Sequence, residues 1–569
     1  MVKHSAGIVR RQIQSLSGVG IFLGALLFAA ALTPTLVPRT YLTQGALAGA
    51  CFAIGYATGV LWRWLWHYLE LPEPPARVRS ATNAVVAIAC LFVVATFLWR
   101  AAEWQNSIRA VMGMEPLESA HPFKVCAIAL ITFFVILVLA RLFKIVTLVL
   151  SAQIRRFIPR KIANAVGLLL ATLLFWSIAN NLLVRTAFQA LDSSFREFDA
   201  LIEPERPQPT APGKTGGAAS LVEWNELGRA GREFVASGPN AAQISALTGR
   251  PAREPVRVYV GLRGAAAARD RAKLALDELK RQGGFERSIL IVVTPTGTGW
   301  VDPAAMDAVE YLHDGDVASV AMQYSYLNSP LSLLFQPEYG AEAARALFAA
   351  IYGYWTTLPK DARPRLYLHG LSLGAMNSEK SAELFETIGD PIAGALWSGP
   401  PFESRIWRSI TANRNEGSPA WLPQFRDSRF VRFMNQDGSM VPADAPWGAM
   451  RVVYLQYASD PIVLFAYRDA YQPPAWMQPP RGPDVSPELR WYPIVTMLQL
   501  ALDMAVATGT PIGFGHVYAP EHYVEAWVAV TDVRNWSPEA LAKLKTYLAG
   551  EAKRATEDAG DSPYAHRGG

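Results

Sequence analysis

RLYLHGLSLGAMNSEKSAELFETI, residues 365–388, changes character in its middle. RLYLHG is a short apolar and aromatic run of strand type, and AMNSEKSAELFETI spaces its apolar residues as a helix does. Between them stands Gly370-Leu371-Ser372-Leu373-Gly374, the pattern G-x-S-x-G. In a strand-turn-helix setting this pattern puts the serine on a strained turn that lifts its hydroxyl above a sheet, and small residues at both glycine positions prevent clashes. Gly370 and Gly374 are therefore expected to frame a nucleophile elbow, with Ser372 as the nucleophile.

A serine attacks poorly without a base, and the base needs a carboxylate to fix its tautomer. After such an elbow the two follow in the order acid, then histidine. Downstream of Ser372 the only histidines are His516, His522 and His566. His516 lies in PIGFGHVYAPEHYVEAW, where a glycine on each side of Phe514 suits a loop carrying a side chain over a sheet. His522 opens an apparent helix, as a surface or capping residue would, and His566 belongs to a polar tail. His516 is the expected base. Asp460 follows the strand-type run MRVVYLQY, and Pro461 stiffens the turn after it, so Asp460 is the expected acid. Asp437 in MNQDG also follows a strand but suits an ordinary turn, and Asp427 and Asp444 read as loop residues.

An oxyanion needs two donors. The backbone of Leu373, directly after the serine, supplies one, and the loop TPTGTGW, residues 294–300, is expected to supply the other from Thr296 or Gly297. A phosphate cradle is the rival reading of that loop, but the Walker spacing and its lysine are absent. His369 reads as a packed residue beside the elbow and His313, in YLHDGD, as part of a turn. With no HExxH and no Cys-His cluster, neither a metal nor a cofactor is expected.

Around the elbow, strand-type runs alternate with helical stretches, the pattern of a mostly parallel sheet flanked by helices. The runs are 256–261, 288–294, 318–325, 365–370, 392–399, 429–434 and 450–457, and the helical stretches include 264–282, 338–357 and 375–388. This domain is expected over 219–569, after a Pro/Gly linker at 202–218.

Residues 1–201 are of another kind. The whole chain of 569 residues is 51% hydrophobic and 18% charged, too apolar for a disordered chain. Five stretches, near 17–38, 45–66, 82–99, 123–145 and 162–184, approach the roughly 20 apolar residues of a membrane span. An all-α transmembrane bundle of about five spans is expected. The first could instead be a cleavable signal peptide, since basic residues and an apolar run precede Ala29-Ala30-Ala31. Phe188, Leu191, Phe195 and Phe198 stand at helical spacing at the end of this region, as in an amphipathic helix lying at the membrane interface or one packed on the helical domain itself.

The net charge of +5 divides the same way: residues 1–201 hold 18 Lys and Arg against 8 Asp and Glu, and the remainder 35 against 40. Lys3, Arg10, Arg11, Arg63, Arg77, Arg79, Arg141, Lys144, Arg155, Arg156, Arg160 and Lys161 fall on one side of the spans. The opposite loops hold Arg39, Arg100, Arg109 and Lys124, offset by Glu103, Glu115 and Glu118. Positive loops stay cytoplasmic, which places everything after Val184 outside the cytoplasmic (inner) membrane. The basic excess lies beside apolar segments without a basic-aromatic stripe, so nucleic acid is not an expected partner. Three cysteines in so long a chain cannot form a disulfide framework, and Cys51, Cys90 and Cys126 all fall in spans, which leaves the external part without a thiol to oxidise. No span carries an acidic or histidine pattern suggesting an ion path. Arg63 and His67, in LWRWLWHYLE, suit an interfacial belt.

GREFVASGP (231–239), TPTGTGWVDP (294–303), YSYLNSPLS (324–332), HGLSLGA (369–375), YASDPI (457–462) and GHVY (515–518) resemble the bacterial membrane-anchored α/β-hydrolases, which join a multi-span N-terminal domain to a C-terminal catalytic domain. The resemblance covers nearly the whole chain and implies Ser372 as nucleophile, Asp460 as acid and His516 as base. It supplies no substrate. The expected activity is a serine hydrolase, esterase or lipase-like, on a lipid or other acyl ester. An acyltransferase using the same residues is the alternative, as is a non-catalytic membrane interaction or transport component. The Trp- and Pro-rich stretch 471–493 is a candidate lid or a packed irregular loop. Oligomeric state is left open.

Overall fold

The computed structural model describes residues 16–180 and 196–560, apart from 198, 204, 205, 328, 330, 333–337 and 443. Lys3, Arg10, Arg11, Phe188, Leu191, Phe195, Phe198 and His566 lie outside the described residues. The chain divides into two compact units. One comprises the described residues up to 180 together with Phe465–Gln478 and Pro483–Val506. The other comprises those from 196 to Leu464, Pro479–Gly482 and 507–560.

The first unit is helical: α1 (Gly18–Ala31), α2 (Tyr41–Tyr68), α3 (Ala76–Val111), α4 (Pro122–Ile154) and α5 (Arg160–Ser177). Four of these, α2 to α5, are long and apolar enough to cross a membrane. The expected first span is shorter than the others. Ser17 caps α1 by accepting the Gly20 amide, and Pro34 and Pro38 cannot continue a helix beyond it. The 14 residues of α1 reach about 21 Å at 1.5 Å per residue, short of a hydrocarbon core of roughly 30 Å. The long helices turn apolar side chains outward, among them Ile88, Phe92, Ile131, Val138 and Leu169. Exposed Trp62, Trp64, Tyr68 and Trp176 lie toward helix ends, where an interfacial belt places aromatics.

α1 and α2 meet along glycines. A Cβ on Gly59 would stand 2.6 Å from the Gly20 Cα, and one on Gly55 would stand 2.4 Å from the Leu23 carbonyl oxygen. Backbones this close admit only hydrogen at the contact, the small-residue packing of membrane helices. Gly59→Ala is expected to destabilise the protein by about 1–3 kcal/mol through overpacking against backbone, read as a lowered Tm in detergent. Gly550→Ala, where no atom stands within 4 Å of the new methyl group, is the control and is expected to hold or raise Tm. Equal Tm values for Gly59→Ala and wild type would remove the close-contact account.

The returning segment is built into this unit by polar and apolar contacts. Asp503, on the Val495–Val506 helix, accepts from Arg39 Nε at 3.0 Å and from the Leu36 amide at 3.1 Å, with both ion-pair side chains fully buried. One helical turn earlier, Gln499 donates to the Thr33 carbonyl at 3.1 Å. The rest of the Arg39 guanidinium donates to Gln44 Oε1, Thr35 Oγ1 and the Ala31 carbonyl. Val495 packs with Phe28, Leu32, Leu47 and Trp104. Trp476 is buried and Trp491 Nε1 donates to the Asp469 carbonyl at 2.7 Å, so 471–493 is a tied-down segment in this structure.

The second unit holds seven strands: β1 (Val256–Val260), β2 (Ile289–Thr294), β3 (Val317–Met322), β4 (Arg365–Leu371), β5 (Gly394–Ser398), β6 (Val431–Met434) and β7 (Arg451–Leu455). All pair in parallel, in the order β1-β3-β2-β4-β5-β7-β6. Strands covered on both faces need continuous apolar runs, and ILIVVT in β2 is buried throughout. α6 (Ala268–Arg281) joins β1 to β2, α7 (Pro303–Leu312) joins β2 to β3, and α8 (Tyr339–Trp355) joins β3 to β4. The steps through α7 and α8 run in opposite directions across the sheet, so right-handed crossovers put those helices on opposite faces. α9 (Leu373–Glu379) leaves β4, and α10 (Pro520–Thr531) packs against α7, with Trp527 Nε1 donating to the Ala305 carbonyl at 2.8 Å.

Neighbouring strands β2 and β4 send the chain opposite ways, toward β3 and toward β5. The carboxyl ends of strands at such a reversal form a crevice. The loop after β2 and the turn after β4 both open into it. The expected linker is partly folded onto this unit, with the buried Thr215 hydroxyl donating to the Arg257 carbonyl at 2.8 Å.

Candidate active site

Ser372 joins β4 to α9 with φ 57° and ψ −125°, a conformation that costs a non-glycine residue steric strain. Two close contacts hold the turn. A Cβ on Gly370 would stand 2.4 Å from the Gly374 carbonyl carbon, and one on Gly374 would stand 2.2 Å from the Thr294 carbonyl oxygen. Both glycines of G-x-S-x-G are thus required by backbone approach, one within the elbow and one against the loop after β2. The Ser372 amide donates to the Ser398 carbonyl at 2.9 Å, tying the turn to the end of β5.

The next residue, Gly399, meets the histidine. A Cβ there would lie 2.6 Å from His516 Cε1, so the imidazole lies against bare backbone one residue beyond the carbonyl that holds Ser372. His516 rides on a loop bent at Gly513 (φ 91°) and Gly515 (φ 56°), and the Gly515 amide donates to Ser459 Oγ at 2.9 Å. Its Nδ1 donates to Asp460 Oδ2 at 2.7 Å. A carboxylate can only accept, so Nδ1 carries the hydrogen, and in the neutral imidazole Nε2 is then the acceptor. Nε2 is buried with no hydrogen-bond partner.

Asp460 is fully buried just past β7, at the start of the short helix Pro461–Leu464. It accepts three hydrogen bonds: His516 Nδ1 and the Tyr518 hydroxyl at Oδ2, the latter at 2.8 Å, and the Ile462 amide at Oδ1, at 2.9 Å. Burial, and then the adjacent Asp460, hold the Tyr518 phenol well above its ordinary value, so it remains a donor. Sequence reasoning had not assigned Tyr518 a role, although its spacing from His516 in GHVY was visible. Ser459 and Gly399 were missed as well, because their contacts are made across the fold.

The competing residues stand elsewhere. The His522 ring pairs through Nδ1 with the Tyr457 hydroxyl at 2.6 Å, and burial lowers its pKa. His369 is buried against Trp527 and donates to the Leu396 carbonyl at 2.9 Å, with burial pushing it down to about 4. His313 pairs with Thr531 Oγ1 at 2.9 Å and burial likewise takes it down to about 4. Asp437, Asp427 and Asp444 are exposed. Among the described residues no group of three His, Cys, Asp or Glu side chains could hold a metal ion.

The oxyanion candidates separate. Leu373 begins α9, so its amide has no intrahelical acceptor. The Thr296 amide donates to the Trp300 carbonyl at 3.0 Å and the Gly297 amide to Ser329 Oγ at 3.2 Å, so both are already committed. Nearby, Asp302 caps α7 through the Ala304 amide, and burial pushes it up to about 7.

A parallel sheet flanked by helices, with a strained serine leaving its central strand, defines an α/β-hydrolase scaffold. Residues 256–544 match an alpha/beta-hydrolase family, residues 32–239 match the N-terminal region of that family, and the chain belongs to it. No curated protein and no solved structure matches the chain.

Proposed function

We propose that the protein is a membrane-tethered serine hydrolase that cleaves an ester outside the cytoplasmic membrane, with a lipid or acylated envelope molecule as its substrate class. The observation that carries this reading is the 2.7 Å Asp460–His516 bond with His516 Nε2 left unpartnered beside the Ser372 turn. Ser372 Oγ attacks the ester carbonyl and its proton passes to Nε2. The bond to the leaving alcohol breaks, the imidazolium returns that proton to the alcohol, and water releases the acyl group by the same steps. An alcohol in place of water makes the reaction an acyl transfer.

External placement rests on the positive-inside rule and needs only α2 to α5. Arg63, Arg77 and Arg79 flank the α2–α3 turn, and Arg155, Arg156, Arg160 and Lys161 surround the α4–α5 turn. Both turns are then cytoplasmic, and α5 leads outward whatever α1 does. A chain held in the bilayer meets lipid at high local concentration, which favours a lipid substrate.

A membrane-impermeant fluorophosphonate applied to spheroplasts is expected to label the wild-type protein and spare Ser372→Ala. Labelling only after lysis would overturn the external placement. Failure to label Ser372 under either condition would overturn the serine-hydrolase reading.

A further inference from the structure

The second oxyanion donor is open once the amides of Thr296 and Gly297 are committed elsewhere. The Thr296 side chain offers a different group. Its hydroxyl is buried with no hydrogen-bond partner, on a residue that is 4% exposed. A buried hydroxyl without a partner is destabilising, and polar atoms of this kind call for a missing ligand or another specific reason.

Register places this hydroxyl. β2 and β4 are adjacent and parallel, with Thr294 paired to Gly370. Two residues further on in each segment come Thr296 and Ser372, each just past the end of one of two neighbouring strands, which run roughly 4.8 Å apart. The loop is held down on the elbow, because the Thr294 and Pro295 carbonyl oxygens lie 2.2 and 2.9 Å from where a Gly374 Cβ would be. The bonds from the Thr296 amide to Trp300 and from the Gly299 amide to the Thr296 carbonyl, both 3.0 Å, close a turn that fixes the threonine backbone. Of two other hydroxyls near the site, Tyr324 interacts with the Asn377 side chain, five residues past Ser372 in α9, and Thr298 is only half-buried.

We propose that Thr296 is a catalytic residue whose side-chain hydroxyl, with the Leu373 amide, donates to the oxyanion formed when Ser372 attacks. This rests on the serine-hydrolase reading. Thr296 Oγ reaches the developing negative oxygen as donor, while the Ser372 proton travels separately to His516.

Phosphonylation tests the role without a known substrate. With a fluorophosphonate, Ser372 Oγ bonds to phosphorus, the P–F bond breaks, fluoride leaves, the serine proton goes to His516 Nε2, and the phosphoryl oxygen takes the oxyanion position. Thr296→Val keeps the shape and removes the donor. Its second-order labelling rate in the full-length, detergent-purified protein is expected to fall roughly 10²–10³-fold, while Thr296→Ser, which keeps a hydroxyl, stays within about tenfold of wild type. Because the lost hydroxyl had no partner, the Tm of Thr296→Val is expected to be unchanged or higher, an outcome that a structural role would reverse. A wild-type labelling rate in Thr296→Val overturns this inference and leaves Ser372 standing as nucleophile. Equal slowing of both variants with a lowered Tm also overturns it, in favour of a packing role. Absence of labelling in the wild type overturns the serine reading itself.

Discussion

His516→Ala is expected to lower turnover of an activated ester such as p-nitrophenyl butyrate by roughly six orders of magnitude, the scale on which a serine hydrolase loses its base. The reason is geometric: Nε2 of His516 is buried without a hydrogen-bond partner beside the Ser372 turn. His522→Ala is expected to stay near wild type, because that ring pairs with the Tyr457 hydroxyl. Asp460→Asn should cost roughly 10⁴-fold, since an amide no longer forces the hydrogen onto Nδ1. Steady-state kinetics on the three purified variants checks the set. Full activity in His516→Ala together with loss in His522→Ala would transfer the role of base to His522.

The other large effect is on stability. Asp503→Leu leaves the Arg39 guanidinium in a fully buried place without its carboxylate. Removing one partner of a buried pair costs roughly 3–5 kcal/mol, whereas replacing both by apolar residues is often neutral. Asp503→Leu and Arg39→Met are each expected to lower Tm sharply in detergent, and the double variant to recover most of the loss. If the double variant is as unstable as the singles combined, the pair is not the unit of stabilisation. Asp503 lies between Asp460 and His516 in the chain, within Pro483–Val506, the second of two stretches there that belong to the helical unit.

How much could be read beforehand depended on the range of the interaction involved. The strands were legible because each is short and buried on both faces, so runs such as ILIVVT stand out without knowledge of their neighbours. The elbow was legible because Gly370, Ser372 and Gly374 meet one another within a single turn. Asp460 and His516 could be nominated from strand ends and glycines, but not their bond. Strand order was hidden. β6 precedes β7 in the chain yet lies outside it, which leaves the strand that leads to Asp460 next to β5, and parallel pairing leaves no local mark of that choice. The grouping of 465–506 was hidden for the same reason: an apolar helix at 495–506 looks like hydrolase core until Arg39 is known to meet Asp503. In the loop after β2, glycines suggested free amides, and only the bonds to Trp300 and Ser329 show them occupied.

The Arg39–Asp503 pair spans 464 residues of chain. At roughly 5–20 residues per second, a ribosome needs about 25–90 s to pass from one to the other. Through that interval the α1–α2 linker exists with its arginine but without its counter-charge, while the residues of all seven strands are synthesised. The helical unit, first to be synthesised, is thus among the last parts to be finished. Its closure reports that translation has passed the hydrolase sheet.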